Sequence, residues 1–199
     1  MSNDFKDFGL EDRVRRPLDE AGYTKATPIQ AEALPILLGG QDLIGVAETG
    51  TGKTLAFLLP IFQRLEPDQK DPQALVVCPT RELAQQVGAE AERFGRDLGV
   101  RTVVAYGGTS SGEQKRLLAA GCELVVGTPG RLLDFVNSAW LSMRSVRASS
   151  WGVPLVGHEA FLITTSCTCA ISPSRATSKA PRCSMRSPTP IATAHSQCR

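Results

Sequence analysis

Between residues 42 and 137 the chain alternates two kinds of segment, and that alternation most restricts its fold. Short apolar runs rich in β-branched residues, at 42–46, 74–78, 102–105 and 124–126, read as buried strands. Longer stretches with helical spacing, at 53–65, 81–98, 112–120 and 131–137, separate and follow them. A strand, a helix and a further strand in succession require a crossover, which makes the neighbouring strands parallel. Strands that are apolar almost throughout fit a sheet covered on both faces. The expected class is therefore α/β, a parallel sheet flanked by helices. Gly50 and Gly52 stand just before a helix, and Pro79 and Pro129 follow strands directly, as that order needs. Open sheets of this kind bind ligands at the carboxyl ends of their strands.

The first such end reads Ala47-Glu48-Thr49-Gly50-Thr51-Gly52-Lys53-Thr54. A segment of this composition that leaves a strand and opens a helix has the context of a phosphate-gripping loop. Glycines let the backbone curl until several N–H groups face one phosphate chain. The helix beginning near Gly52 adds its positive end. Lys53 reaches the terminal phosphates, and the Thr54 hydroxyl is the candidate ligand for Mg²⁺. Ala47 stands where glycine is usual, a mild departure. The bland alternative, a glycine-rich turn with no ligand, accounts poorly for Gly-Lys-Thr in this position. Kinases, GTPases, transporters and helicases share such loops, so the loop specifies a ligand and not a reaction.

Composition sets the outer limits. At 199 residues with 42% hydrophobic content, the chain suffices for one domain and is short for two. Its net charge of +2 conceals an asymmetry. Residues 1–137 carry 15 Lys and Arg against 19 Asp and Glu, and residues 138–199 carry 7 against 1. Such a break asks for the two parts to be read separately. No apolar run approaches the roughly 20 residues that span a bilayer, and the polar N-terminal residues lack the order of a signal peptide. A cytoplasmic location is the expectation. Cys78 and Cys122 lie in apolar stretches and read as buried, reduced thiols.

The residues around the loop narrow the reaction. Upstream stands Gly22-Tyr23-Thr24-Lys25-Ala26-Thr27-Pro28-Ile29-Gln30, with Phe5 a further 17 residues before Gly22. Downstream come Pro79-Thr80-Arg81-Glu82-Leu83-Ala84, then Gly107-Gly108, then Thr128-Pro129-Gly130-Arg131. In this order and spacing the five motifs resemble the first lobe of the DEAD-box RNA helicases over about residues 5–147. Each short motif alone reads as a turn, a cap or a solvated charge. The resemblance implies a RecA-like lobe that uses ATP and Mg²⁺. It implies nucleotide contacts from Phe5, Lys25, Gln30, Thr49, Gly50, Thr51, Gly52, Lys53 and Thr54. Gln30 would bond the adenine edge, since a carboxamide offers a donor and an acceptor together, and Phe5 would stack on the ring. Ala26 replaces the family's usual proline and removes no ligand. Pro79, Thr80, Arg81, Gly107, Gly108, Thr128, Pro129, Gly130 and Arg131 would hold single-stranded or structured RNA by its backbone. Hydroxyls, helix-start N–H groups and guanidinium groups bind phosphates without reading bases.

The resemblance stops near Arg147. The family's next element is an apolar strand ending in Asp-Glu-Ala-Asp, whose first carboxylate holds Mg²⁺ through water and whose second positions the attacking water. This chain continues Ala148-Ser149-Ser150-Trp151-Gly152-Val153-Pro154, and no Asp follows Asp134. Glu159 is the one carboxylate beyond it. The Ser-Ala-Thr motif and the second lobe also find no counterpart, so no catalytic residue is identified and little or no ATP hydrolysis is expected. The division expected is a flank at 1–38, a partial, incomplete RecA-like lobe at 39–147, and a tail at 148–199. With 12 Ser, 6 Thr and 5 Pro in residues 138–199, the tail reads as irregular or disordered. A changed reading frame, a divergent basic extension and a zinc site of Cys167, Cys169, Cys183, His195 and Cys198 are the alternatives for it. The last fits no standard ligand spacing. The alternatives to an active helicase are a nucleotide- and RNA-binding module without turnover, or a fragment without function.

Overall fold

The structure, a computed structural model, describes residues 3–155, 158–164 and 192–195, with side chains over 3–150. The helices are α1 (Asp12–Glu20), α2 (Pro28–Leu38), α3 (Lys53–Arg64), α4 (Arg81–Gly95), α5 (Gly112–Ala120) and α6 (Pro129–Asn137). The strands are β1 (Leu43–Ala47), β2 (Ala74–Val77), β3 (Thr102–Ala105), β4 (Leu124–Gly127), β5 (Ala148–Leu155), β6 (His158–Thr164) and β7 (Ala192–His195). All form one sheet in the order β3-β4-β2-β5-β6-β1-β7. The alternation between β1 and α6 is the one the sequence pattern predicts. No helix among the described residues is long and apolar enough to cross a membrane.

Period-2 alternation within the strands divides the core in two, because successive side chains leave opposite faces of a sheet. Ala74 and Val76 of β2, with Leu124 and Val126 of β4, pack with Leu34, Phe62, Val87 and Phe94 from α2, α3 and α4. Leu75, Val77, Val103 and Val125 point the other way, to Leu118 of α5 and Leu132 and Phe135 of α6. With both faces covered, the strands can be apolar at every position, and β2 and β4 are buried throughout.

The sequence pattern offers no strand after Arg147, yet β5 begins at the next residue. Ala148 to Trp151 pair in parallel with Ala74 to Val77. Arg147 and Ala148 donate their N–H groups to Gln73 O at 2.7 and 3.4 Å. Ala148, Ser149 and Ser150 are buried. Sheet pairing is a property of the backbone, and small side chains permit it in a covered slot even where β-propensity is poor. β6 lies antiparallel to both β5 and β1, and β7 is parallel to β1. Strands β1 to β5 and β7 thus run one way and β6 the other. The proposed metal ligands Cys167, Cys169, Cys183 and Cys198 lie outside the described residues.

α6 ends in a turn with a cost attached. Ala139 donates to Val136 O at 3.1 Å and Trp140 to Phe135 O at 2.8 Å, the paired bonds of a Schellman cap. Ala139 therefore sits at φ 58°, in the left-handed region that disfavours a Cβ. Replacing Ala139 by glycine relieves that strain. We expect a gain of about 0.5–1 kcal/mol, seen as a higher urea midpoint with an unchanged slope.

Candidate nucleotide and nucleic-acid site

The loop between β1 and α3 turns on two glycines. Gly50 and Gly52 lie at φ 80° and 89°, a region that costs other residues about 1 kcal/mol or more. Space makes the second position stricter still. A Cβ on Gly52 would come within 2.6 Å of Gln30 Nε2 and 3.1 Å of Thr27 Oγ1. Glu48, Thr49 and Gly50 are exposed along the loop, and Thr54 is half-buried in the first turn of α3. Lys53 is buried, and its ammonium donates to Ala47 O at 2.9 Å and to Glu48 O. Thr51 Oγ1 donates to Glu48 O at 2.8 Å. The loop thus closes on its own carbonyls, with the Lys53 ammonium held against it at the start of α3. Two positive-φ glycines, an ammonium beside the loop and a hydroxyl at a helix start fit a nucleotide phosphate chain with Mg²⁺, for which Thr54 would supply the protein ligand.

Gln30 ties the upstream motif to this loop. Its Oε1 accepts from Thr27 N at 2.9 Å, at the start of α2, and its Nε2 donates to Gly52 O at 2.9 Å. At 3% exposure the carboxamide is a buried bridge between the two segments. Phe5 lies elsewhere than a stacking role requires. It is 1% exposed in a 3₁₀ turn, donates its N–H to Thr24 O at 3.2 Å, and meets Phe8 edge-on at 6.4 Å. Stacking on a base needs an open ring face, so this residue would have to move first. Lys25 is exposed and makes a β-bridge with Asp4.

The other motifs meet at the carboxyl ends of β2, β3 and β4. Thr80 caps α4, its hydroxyl accepting from Leu83 N at 3.2 Å. Arg81 Nη1 donates to Gly107 O at 3.4 Å. The same guanidinium fills the space that a Cβ on Gly108 would take, and Gly108 stands at φ 82°. Beyond β4, Thr128 N donates to Ala105 O at 2.9 Å, and Pro129 opens α6. Gly130 is exposed in the first turn of α6. Arg131 Nη2 donates to Thr109 O and Nη1 to Gln114 Oε1, each at 3.0 Å. The three segments thus form one polar edge with two guanidinium groups and two helix N-termini. Near Thr80, the Glu82 carboxyl sits below its ordinary pKa. Its own backbone N–H is the largest cause, followed by the Thr80 hydroxyl.

Sequence motifs did not single out Gln114, Thr109 or Gln85. Gln114 is buried at 8%, and its amide donates to Tyr106 O and Thr109 Oγ1, both at 3.2 Å. It locks the glycine-doublet loop to Arg131. Gln85 Nε2 donates to Tyr106 Oη at 3.0 Å from the other side. A glutamine in a helix reads as solvated, and only the chain's closure reveals these two as struts.

The DEAD/DEAH box helicase family profile matches residues 27–151, which hold every motif above except Phe5 and the first residues of the upstream motif. Among curated relatives, the human "Probable ATP-dependent RNA helicase DDX23" is 44% identical over 146 residues, which are 69% of this chain and 18% of that protein. The Escherichia coli K12 "ATP-dependent RNA helicase DeaD" is 48% identical over 140 residues, 70% of this chain and 22% of that protein. The Xenopus laevis "ATP-dependent RNA helicase DDX42" is 42% identical over 152 residues, 73% and 16% respectively. The chain thus spans about a fifth of the length of these relatives. With the motifs in order on a parallel sheet and the profile covering more than half its residues, the chain belongs to the DEAD/DEAH box helicase family.

Proposed function

We propose that this chain is a first-lobe binding module that takes ATP with Mg²⁺ and holds RNA by its backbone, without effective ATP turnover. The observation that carries the nucleotide half is the Gln30 bridge. One carboxamide joins the start of α2 to Gly52, so the residue assigned to base recognition also holds the phosphate loop, and meeting a base would require it to open or share these bonds. The edge of Arg81, Gly107, Gly108, Thr128 and Arg131 supports the RNA half, since its donors suit phosphates and carry no base code. RNA of any sequence should bind similarly, and more weakly as salt rises.

The absence of turnover rests on carboxylates. Hydrolysis of this type needs one carboxylate for the Mg²⁺ water shell and another for the attacking water. Beyond Asp134 the chain has Glu159 alone, which β6 places in register opposite Ala47. A single carboxylate there leaves the second role unfilled.

Substituting Gln30 tests the nucleotide assignment. We expect the unaltered chain to prefer ATP over GTP, and Gln30→Ala to lower that preference by about tenfold, the value of one or two hydrogen bonds. Damage to the loop alone would weaken both nucleotides equally, so the ratio is the informative quantity. Equal affinities for ATP and GTP before and after the change would remove Gln30 from base recognition.

A further inference from the structure

Four large apolar side chains are exposed among the described residues: Tyr23, Leu117, Leu133 and Trp140. Tyr23 has partners, with Phe94 edge-on at 5.9 Å and Arg93 5.8 Å from its ring centre. Trp140 is 45% exposed and stands in the turn that closes α6. The Schellman turn at Ala139 fixes its backbone, and Lys115 Nζ lies 5.2 Å from its ring centre. Lys115 follows Gln114, whose side chain holds Arg131 at 3.0 Å. The first turn of α5 therefore touches the backbone-binding edge with one residue and the indole with the next. Cations at Lys115, Arg116, Arg131 and Arg144 outnumber the acids Glu113 and Asp134 on α5, α6 and the turn after. That balance favours a polyanion over an apolar protein partner.

We propose that Trp140 and Lys115 form a single-stranded nucleic-acid subsite, the indole stacking on a base and the ammonium meeting the adjoining phosphate. The proposal rests on the reading of Arg81 and Arg131 as RNA-backbone contacts, which it extends from Gln114 and Lys115 of α5 to the turn that closes α6. Aromatic platforms of this kind tolerate any base, because every base has a flat face, and each stacked base tightens binding about fivefold or more. The plain alternative is a surface cation–π pair that only stiffens α6. Such a pair would leave nucleic-acid affinity unchanged when removed.

The test is equilibrium binding of a fluorescent oligouridylate to the full chain at fixed salt. Trp140→Ala should weaken binding about fivefold or more, Trp140→Phe should retain most of it, and Arg131→Ala should weaken it independently. A bromouridine-substituted strand should also photocrosslink the unaltered chain at Trp140. Unchanged affinity in Trp140→Ala beside a loss in Arg131→Ala overturns the subsite and leaves the backbone reading intact. Unchanged affinity in both overturns the backbone reading as well. Crosslinks mapping only to other residues also count against the subsite, whatever Trp140→Ala does to folding.

Discussion

Lys53→Ala should weaken ATP binding by about 10- to 100-fold while changing adenosine binding little. The Lys53 ammonium lies against the loop, and charged hydrogen bonds contribute about 1.5–3 kcal/mol each. In the structure those bonds go to Ala47 O and Glu48 O. A triphosphate must displace them, and the net gain is the difference between phosphate oxygens and backbone carbonyls. Adenosine has no phosphate to offer, so it should not register the change. Isothermal titration with both ligands measures the contrast. Equal losses for ATP and adenosine would mean that the substitution had merely collapsed the loop.

Glu123→Ala should destabilise the fold by about 2 kcal/mol, because the backbone N–H groups of Gln69 and Arg101 lose their charged acceptor, while the half-exposed Arg101 side chain is left facing water. Glu123 is fully buried at the amino end of β4, remote in function from the ligand edge. Its Oε1 accepts from Arg101 Nη2 at 2.6 Å and Gln69 N at 3.0 Å, and its Oε2 from Arg101 N at 2.7 Å and Nε at 3.2 Å. One carboxylate thereby joins the starts of β3 and β4 to the loop before β2. Burial alone would raise its pKa. The Arg101 side chain and the N–H groups of Arg101 and Gln69 outweigh burial and hold it below the ordinary carboxylate range. A depressed folded pKa gives stability that is complete above the unfolded value of about 4.3. That contribution drains away as pH falls through the lower folded value. Urea unfolding from neutral pH downward should show an acid-side loss in the unaltered chain that is smaller in Glu123→Ala. An identical pH slope in both would remove Glu123 from the account.

Much of this fold is legible from pattern, and the exceptions have physical causes. The runs at 42–46, 74–78, 102–105 and 124–126 became β1 to β4 within a residue or two, because a doubly covered sheet demands apolar side chains on both faces. The stretch at 81–98 is periodic throughout, yet α4 stops at Gly95 and tightens into a 3₁₀ turn over Arg96–Leu98. A Cβ on Gly95 would press on Val100 and Phe62 at 3.3 and 3.4 Å, a packing constraint that no periodicity records. β5 escaped notice because the Ser-rich composition after residue 138 reads as irregular, although the slot beside β2 buries Ser149 and Ser150.

At the candidate site, glycines and the lysine were legible because loop chemistry needs those residue types at fixed spacing. The Gln30 bridge to Gly52 was not, since it joins segments 22 residues apart. Gln114 was missed for the same reason, being defined by Tyr106, Thr109 and Arg131. Phe5 shows the reverse case. The family resemblance implies stacking on a base, whereas in this structure the ring is buried in the core.

Phosphate release from ATP, with Mg²⁺ and with and without single-stranded RNA, tests the central claim most directly. The account predicts ATP binding that depends on Lys53, and release no faster than in Lys53→Ala whether or not RNA is present. RNA-stimulated release abolished by Lys53→Ala would contradict it, and would mean that this chain assembles a working pair of carboxylates after all.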